Sequence, residues 1–290
     1  GFCCMRTSTL KILHGSDLQV GKPFRPRAAE AFRRLAFEVE PHLIVVSGDL
    51  TQRAKQREFR AAWEFLQRLP TVPLVVTLGN HDVPLYRVWE RVLLPYWHWS
   101  REIPRDRDSV ARVAGAMIIG LNSASPLRAV VNGRITTRQL AFARKNFEEA
   151  APGGVRVLVI HHPLIVPPGG EFGAPLPGAR RILQQIEDME VDLVLGGHMH
   201  VTHLATSRDL IEGEGAGVPL ITAGTTTSRR GRGHETRRNS TNVIELLDDY
   251  VNVTPYYFES RGTAFEPSET ISLARPGMPA LEPPMGLSGT

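Results

Sequence analysis

The chain has 290 residues, of which 42% are hydrophobic, and a formal net charge of +4 at pH 7. This length and composition suffice for one large core, and no compositional shift before residue 255 indicates a second domain. Both cysteines, Cys3 and Cys4, lie in residues 1–9, which we interpret as a leader or an expression scar, so disulfides and thiolate metal sites are excluded elsewhere. No segment is typical of a signal peptide or a membrane span, which predicts a cytoplasmic protein.

Short apolar runs alternate with amphipathic segments along the chain. Buried strands are predicted at residues 10–13, 43–46, 74–76, 155–160, 193–195, 220–223, 243–247 and 251–253. The periodicity predicts helices at residues 27–40, 56–69, 137–150 and 179–189. The alternation indicates one α/β domain over residues 10–254.

Residues 255–290 are rich in Pro, Gly, Ser and Glu, which predicts an extended or partly disordered C-terminal tail. Alternatively, the tail lies across a neighbouring subunit, as in a homodimer, or at the rim of the active site.

Five short polar motifs each follow a predicted strand. They are Ser16-Asp17-Leu18-Gln19, Gly48-Asp49, Gly79-Asn80-His81-Asp82, His161-His162-Pro163 and Gly197-His198-Met199-His200. Taken singly, the motifs with Asp17 and Asp49 and the Gly79-Asn80-His81-Asp82 motif are typical of a helix cap or a turn. His161-His162-Pro163 alone could be a packed loop pair, and Gly197-His198-Met199-His200 alone favours a metal only about evenly. Because ligands bind at the carboxyl edge of α/β sheets, the ordered set predicts that these side chains meet in one crevice. Carboxylate, amide and imidazole groups suit Zn, Mn and Fe ions, so the pattern indicates a two-metal hydrolase site.

These motifs, spread over residues 10–247, resemble the calcineurin-like metallophosphoesterase superfamily, and most of all its bacterial branch of cyclic-nucleotide phosphodiesterase-like enzymes. The resemblance implies two packed mixed β-sheets flanked by helices, in a four-layer sandwich. It also implies two divalent or trivalent metal ions (Mn, Fe or Zn) and a metal-bridging hydroxide that attacks phosphorus. The implied ligands are Asp17, Gln19, Asp49 and His200 for the first metal, and Asp49, Asn80, His161 and His198 for the second.

The same resemblance assigns catalytic roles to Asp49, the bridging ligand, to Asn80 and to His81, the proton donor. His81 and His162 are also predicted to bind the substrate, although His162 could instead orient the ligands or simply pack.

The sequence departs from the family pattern at two positions. Gln19 stands where the family usually has a histidine, and an amide oxygen is a poorer ligand than imidazole for these cations. We therefore expect the first site to bind metal more weakly, or to recruit water in place of Gln19. Gln52 stands where many relatives carry an aspartate that hydrogen-bonds the histidine matching His81, so we expect an amide, or another group such as Asp82, to orient His81.

Two segments bear on the substrate. Residues 84–103 contain Tyr86, Trp89, Tyr96, Trp97, His98 and Trp99, which could form an apolar wall beside the metals or pack in the core. The basic loop, residues 228–238, could guide an anionic substrate or be an ordinary solvated loop.

The leading interpretation is a metal-dependent phosphodiesterase that acts on cyclic nucleotides or other small phosphodiesters. A nucleotide or lipid-linked pyrophosphate hydrolase is the alternative with the same chemistry. A nuclease is less favoured, because no duplex-binding extension is evident, and nucleic acid is not an expected partner. A catalytically decayed binding protein is disfavoured because the polar motif residues are retained.

Overall fold

The computed structural model describes residues 10–127, 131–168 and 172–279. Its strands are β1 (Leu10–Gly15), β2 (Leu43–Val46), β3 (Leu74–Val76), β4 (Ser109–Val113), β5 (Ala116–Leu121), β6 (Arg156–Ile160), β7 (Leu193–Gly196), β8 (His203–Thr206), β9 (Pro219–Thr222), β10 (Asn239–Leu246), β11 (Tyr250–Phe258), β12 (Glu266–Pro267) and β13 (Ile271–Ala274). Its α-helices are α1 (Pro26–Val39), α2 (Gln56–Leu66), α3 (Val88–Leu93), α4 (Trp97–Glu102), α5 (Thr137–Phe147) and α6 (Ala179–Asp188).

The strands form two mixed sheets. The first has the order β12-β11-β10-β1-β2-β3, with β13 also pairing with β11, and the second has the order β4-β5-β6-β7-β9-β8. Strands β1, β2 and β3 are parallel, as are β5, β6, β7 and β9. The predicted pair of mixed sheets flanked by helices is confirmed.

The central strands of each sheet are buried on both faces, which explains the continuous apolar runs in the sequence. In β1, Ile12 packs in the cluster between the two sheets, whereas the next residue, Leu13, packs in the cluster beneath α1 and α2. A third cluster joins the outer face of the second sheet to α5 and α6. The successive side chains of a strand point to opposite faces, so each strand contributes to two layers of core.

The eight predicted strands and four predicted helices are all present, within a few residues of their expected ends. The sequence interpretation missed five strands, β4, β5, β8, β12 and β13, and the short helices α3 and α4. Strand β5 lies between β4 and β6 in the second sheet and pairs with β6 over Met117–Leu121. No helix within the described residues has the length and apolar content to cross a membrane.

The C-terminal segment corrects the prediction of a loose tail. The boundary expected at residue 254 falls inside β11, and β12 and β13 both pair with that strand. Phe258 and Phe265 anchor the segment because both are buried, with ring centroids 5.5 Å apart, and Phe265 also packs against Phe32 at 6.4 Å. These apolar residues outweigh the Pro/Gly-rich composition up to Ala274. The predicted leader, residues 1–9, and the end of the tail, residues 280–290, lie outside the described residues.

Candidate metal centre and active-site pocket

The loops that follow five parallel strands deliver the predicted site residues. Pairing of Gly15 with Val46 and of Val46 with Val76 aligns the ends of β1, β2 and β3 at one sheet edge. Asp17, Asp49 and Asn80 follow these strands, while His161, His198 and His200 follow β6 and β7. The structure brings all six residues together at the carboxyl ends of these strands.

The first half of the centre consists of Asp17, Asp49 and His200. One potential ligand atom from each lies within 4.8 Å of the others, and all three residues are buried. Oδ2 of Asp17 accepts hydrogen bonds from the Ser16 hydroxyl (2.7 Å) and the His198 backbone N–H (3.0 Å). Its Oδ1 has no hydrogen-bond partner and lies 3.0 Å from Nε2 of His200.

The second half consists of Asp49, Asn80, His161 and His198. Nδ1 of His161 donates to the Ser47 carbonyl (2.6 Å), so its Nε2 carries the lone pair. That Nε2 is buried without a hydrogen-bond partner, 3.5 Å from Oδ1 of Asp49. On the other side, Nδ1 of His198 lies 2.8 Å from Oδ1 of Asn80.

These atoms fit divalent cations. The unpartnered Asp17 Oδ1 and His161 Nε2 are electron-pair donors that face the centre, and a bound cation would satisfy both. Asp49 spans the two halves, because its Oδ1 faces His161 whereas its Oδ2 faces Gln19 at 3.3 Å.

The electrostatics of the centre favour positive charge. Burial acts to raise the pKa of Asp17, but His200, His161 and the Ser16 hydrogen bond hold it below its usual value. Burial acts to lower the pKa of His161, yet Asp49 and Asp17 raise it overall. Burial, together with repulsion from His161, lowers the pKa of His198 to about 3, which keeps this imidazole in the neutral form that binds metal.

The backbone of the centre is unusual. Of the ten non-glycine residues with positive φ in the described chain, five are predicted metal ligands: Asp17 (52°), Gln19 (48°), Asp49 (52°), His198 (72°) and His200 (60°). This region is sparsely populated by L-residues, and such strain is concentrated at functional sites. The surrounding fold therefore holds these side chains in orientations that an unconstrained loop would avoid.

Two glycines make room for the ligands. A Cβ atom at Gly79 would lie 2.7 Å from Nε2 of His161 and would overlap the Asp49 carboxylate. Gly48 has φ of +97°, and a side chain there would overlap the His161 ring. Residues Gly48 and Gly79 thus allow the backbone to approach the metal centre closely.

The orientation of the Gln19 side chain does not match its predicted role as a metal ligand. Its Oε1 accepts a hydrogen bond from the Ser228 hydroxyl (2.8 Å), so the amide nitrogen faces Oδ2 of Asp49 (3.3 Å) and Nε2 of His200 (3.2 Å). An amide N–H₂ group donates hydrogen bonds and offers no lone pair to a cation. In this arrangement Gln19 donates hydrogen bonds to two predicted ligands, Asp49 and His200. The first site therefore has one metal-binding atom fewer than the sequence predicted.

We expect Gln19→His to strengthen the first site, because imidazole supplies the lone pair that the oriented amide lacks. Changes around metal ligands alter affinity about 10- to 100-fold, and we expect an increase of that order. Titration with Mn²⁺, followed by calorimetry and by metal analysis of the dialysed protein, measures it. The isosteric Gln19→Glu tests whether any anionic oxygen suffices. Two equally tight ions in the unaltered protein would contradict the weakened first site.

His81 is oriented by the backbone of Gln52 and not by its side chain. Nδ1 of His81 donates to the Gln52 carbonyl (3.0 Å), and Nε2 accepts from Nη1 of Arg230 (3.0 Å). The suggested substitute, Asp82, instead accepts from the backbone N–H groups of Leu50, Thr51 and Gly79 and from the Thr51 hydroxyl. Of the expected candidates, neither the Gln52 side-chain amide nor Asp82 orients His81, and the group that does so is the backbone carbonyl of Gln52.

Arg230 is a site residue that the sequence analysis placed only within the basic loop. Its carbonyl accepts from Nδ1 of His200 (2.9 Å), so this loop is attached to a ligand. Ser228 was likewise placed only within the basic loop, and Phe172 was missed. Phe172 lines a pocket of about 300 Å³ with Asp49, Asn80, His81, His198, His200 and Arg230. The density of arginines in the loop was the one available signal.

The aromatic segment divides between core and surface. Trp99 is buried and packs edge-on against Phe59, with ring centroids 6.1 Å apart. Tyr86 lines the active-site pocket. Trp89 and Trp97 are exposed to 80% and 52%. Both alternatives for this segment are thus realised, each by different residues.

His162 lies behind the ligands. It is 1% exposed, its Nδ1 lies 2.7 Å from the Ser123 hydroxyl, and its ring is 4.8 Å from that of His198. It is not among the residues that line the active-site pocket. We therefore propose that His162 positions His161 and His198, in place of the substrate contact predicted from sequence.

The two packed sheets and the convergent carboxylate, amide and imidazole groups define the class of metal-dependent phosphoester hydrolases. The family model for calcineurin-like phosphoesterases matches residues 10–202, and the chain belongs to this family.

Solved structures share the fold at low identity. A purple acid phosphatase from yellow lupin (Lupinus luteus) seeds aligns with a TM-score of 0.64 and 13% identity over 91% of this chain. The chain spans about half of that enzyme, 53% of its length. A dimetal phosphatase from Danio rerio aligns with a TM-score of 0.60 and 11% identity, over 92% of this chain and 99% of its own.

GAP50, the anchor in the inner membrane complex of Plasmodium, aligns with a TM-score of 0.57 and 15% identity, over 93% of this chain and 90% of its own. The fold thus occurs in phosphatases and in an anchor protein. No curated protein matches the chain in sequence.

Proposed function

We propose that this protein is a binuclear metal-dependent phosphodiesterase that hydrolyses small phosphodiesters, cyclic nucleotides among them. The main support for this proposal is that two candidate metal half-sites share Asp49. Oδ1 of Asp17 in the first and Nε2 of His161 in the second are buried without hydrogen-bond partners. The first half-site uses Asp17, Asp49 and His200, and the second uses Asp49, Asn80, His161 and His198. We propose Mn, Fe or Zn ions for these sites.

Bound cations of this kind lower the pKa of water and neutralise charge that builds on phosphoryl oxygens. The side chains of the pocket supply the remaining functions. Arg230 is permanently charged and lies at His81, where it can hold a phosphoryl oxygen. The Gln52 carbonyl fixes the Nδ1 proton of His81, so Nε2 is the atom that exchanges a proton with an ester oxygen.

A diester is favoured over a monoester because apolar side chains reach the pocket from separate loops. Leu85 and Tyr86, Val131, and Phe172 with Ala174 all line it. These contacts can accommodate organic groups on both ester oxygens of one phosphorus, whereas a monoester has a single such group.

The test compares bis(p-nitrophenyl) phosphate with p-nitrophenyl phosphate in Mn²⁺. We expect kcat/KM to be about tenfold or more higher for the diester, a ratio within reach of added apolar contacts. Activity should disappear on chelation and return with Mn²⁺. Preference for the monoester would replace the proposal with a phosphomonoesterase, and inactivity in every metal would favour the binding protein.

A lipid-linked or nucleotide pyrophosphate is the second candidate substrate class, favoured by one observation. The apolar face of α3 and the segment around it is exposed at Trp89 (80%) and Leu93 (69%), close in sequence to the pocket residue Tyr86. Such a face is suited to an acyl chain. Hydrolysis of a pyrophosphate that is faster than that of the diester would favour this candidate.

We also propose that the protein is cytoplasmic and that it forms a homodimer. Both follow from the sequence interpretation, and size-exclusion chromatography with light scattering tests the dimer.

A further inference from the structure

A second cavity adjoins the active-site pocket. It is an open cleft of about 700 Å³ between the loop at Gly21–Pro23, the N-terminus of α2 and the basic loop. Gln52, Arg53 and Arg230 line both the cleft and the pocket. A molecule bound at the metal centre therefore borders the cleft directly, across these three side chains.

The cleft is strongly cationic. Its basic lining residues are Lys22, Arg53, Lys55, Arg57, Arg229 and Arg230. Its single carboxylate, Glu58, is buried and already accepts a hydrogen bond from the Arg53 backbone N–H (2.8 Å). Within the described part of the chain, none of the six basic residues forms an ion pair with a carboxylate.

Several basic residues outside the cleft are paired. Arg33, Arg60 and Arg112 each pair with a glutamate at 3.2 Å or less. Six like charges around one cleft repel each other, and an anion that enters it removes this repulsion. The charge pattern thus points to an anionic occupant.

A polar atom at the junction between the two cavities lacks a hydrogen-bond partner. Gln52 is only 9% exposed, and its Oε1 has no hydrogen-bond partner. A buried amide oxygen without a donor is unfavourable. A hydroxyl or N–H group on a molecule that passes from the pocket into the cleft would satisfy it.

We propose that the cleft is a second phosphate site, so that the substrate carries a further phosphate besides the ester hydrolysed at the metal centre. The proposal rests on the proposed phosphodiesterase function. Lysine and arginine are the side chains that bind phosphate best, through charge-assisted hydrogen bonds. The fitting substrate class is a small nucleoside-like diester with a second phosphate and a linker that bears hydroxyl or N–H donors.

The test uses two substrates that differ by one phosphate: thymidine 5′-(p-nitrophenyl phosphate) with and without a 3′-phosphate. We expect the 3′-phosphate to raise kcat/KM roughly tenfold, mainly through KM, since two partly exposed charge contacts together contribute about that factor. In Lys22→Gln/Arg57→Gln the ratio of the two kcat/KM values should fall to about one.

The matched control is Lys145→Gln/Arg181→Gln, which removes the same charge from exposed positions on α5 and α6. It should retain the ratio, which excludes a general effect of net charge. Equal hydrolysis of both substrates by the unaltered protein would overturn the second phosphate site and leave the phosphodiesterase intact. Loss of the ratio in the control would also overturn it.

A binding measurement separates the site from catalysis. Thymidine 3′,5′-bisphosphate should bind roughly tenfold more tightly than thymidine 5′-phosphate in calorimetry with chelator present, and Lys22→Gln/Arg57→Gln should abolish the difference. If neither ester is hydrolysed but this difference persists, the phosphodiesterase proposal fails and the phosphate site stands. A further rise in kcat/KM when three nucleotides extend the 3′ side would identify a strand as the source of the phosphate.

Discussion

Replacement of Asp49 by asparagine is expected to abolish activity. Its two oxygens face the two halves of the centre, Oδ1 towards His161 at 3.5 Å and Oδ2 towards Gln19 at 3.3 Å. Asparagine keeps the shape but replaces one oxygen with an N–H₂ group, which a cation repels. We expect kcat/KM for bis(p-nitrophenyl) phosphate to fall by about 10²–10³-fold or more, as for the loss of one electrostatic contact to a transition state. Plasma mass spectrometry should detect less bound metal per chain.

The control for this substitution is Asp188→Asn, at the exposed C-terminal end of α6. It makes the same change in charge and volume outside the centre and should leave kcat/KM and metal content unchanged. Full metal occupancy in Asp49→Asn would show that Asp49 does not hold the ions. Retained activity at reduced occupancy would show that one ion suffices.

The second large effect is on stability. Asp82 is 1% exposed and accepts three backbone N–H bonds, from Leu50, Thr51 and Gly79 at 2.9–3.1 Å, besides the Thr51 hydroxyl. Asp82→Ala leaves these donors buried without an acceptor. Each such donor costs about 1–3 kcal/mol.

The loss of stability in Asp82→Ala is partly offset by the removal of a buried charge. Burial and repulsion from Asp49 raise the pKa of Asp82 to about 7, so the carboxylate itself is unfavourable in part. We therefore expect Asp82→Ala to lower the free energy of unfolding by about 2–4 kcal/mol. Urea denaturation in the presence of chelator measures this loss without a contribution from bound metal.

Asp209→Ala is the matched control, because Asp209 accepts one backbone N–H, from Thr206 at 2.7 Å, in an exposed turn. It should lower the free energy of unfolding by less than about 1 kcal/mol. Equal losses for the two variants would mean that the backbone donors near Asp82 find water, and that the buried network does not stabilise the loop after β3.

The sequence predicted most of the candidate site because its information is local. Each ligand motif follows a run of apolar residues, and parallel strands buried on both faces must end at a common edge. That reasoning identified Asp17, Asp49, Asn80, His161, His198 and His200 without any knowledge of the packing. The family resemblance supplied the two sheets, which pattern alone could not.

Other elements were not predicted because each carries two sequence signals that point to different structures. Strand β5 is an apolar run like the predicted ones, but it contains Gly120, and a glycine inside a strand weakens the strand pattern. The segment after residue 254 has the composition of a tail, yet Phe258 and Phe265 bury against the first sheet and outweigh it. Compositional averages over a long segment hide two such anchors.

By itself, the sequence predicted the ends of the strands that precede the ligand motifs, the candidate metal ligands and the family, since all three depend on residue types at fixed spacing along a strand and its following turn. Only the tertiary structure decided how the polar groups are oriented. The hydroxyl of Ser228 orients the amide of Gln19, although the two residues are 209 positions apart in the sequence. Arg230 likewise donates a hydrogen bond to His81, which is 149 positions away. The cationic cleft likewise combines three distant loops. Hydrogen-bond partners so far apart in sequence are selected by packing, on which local periodicity carries no information.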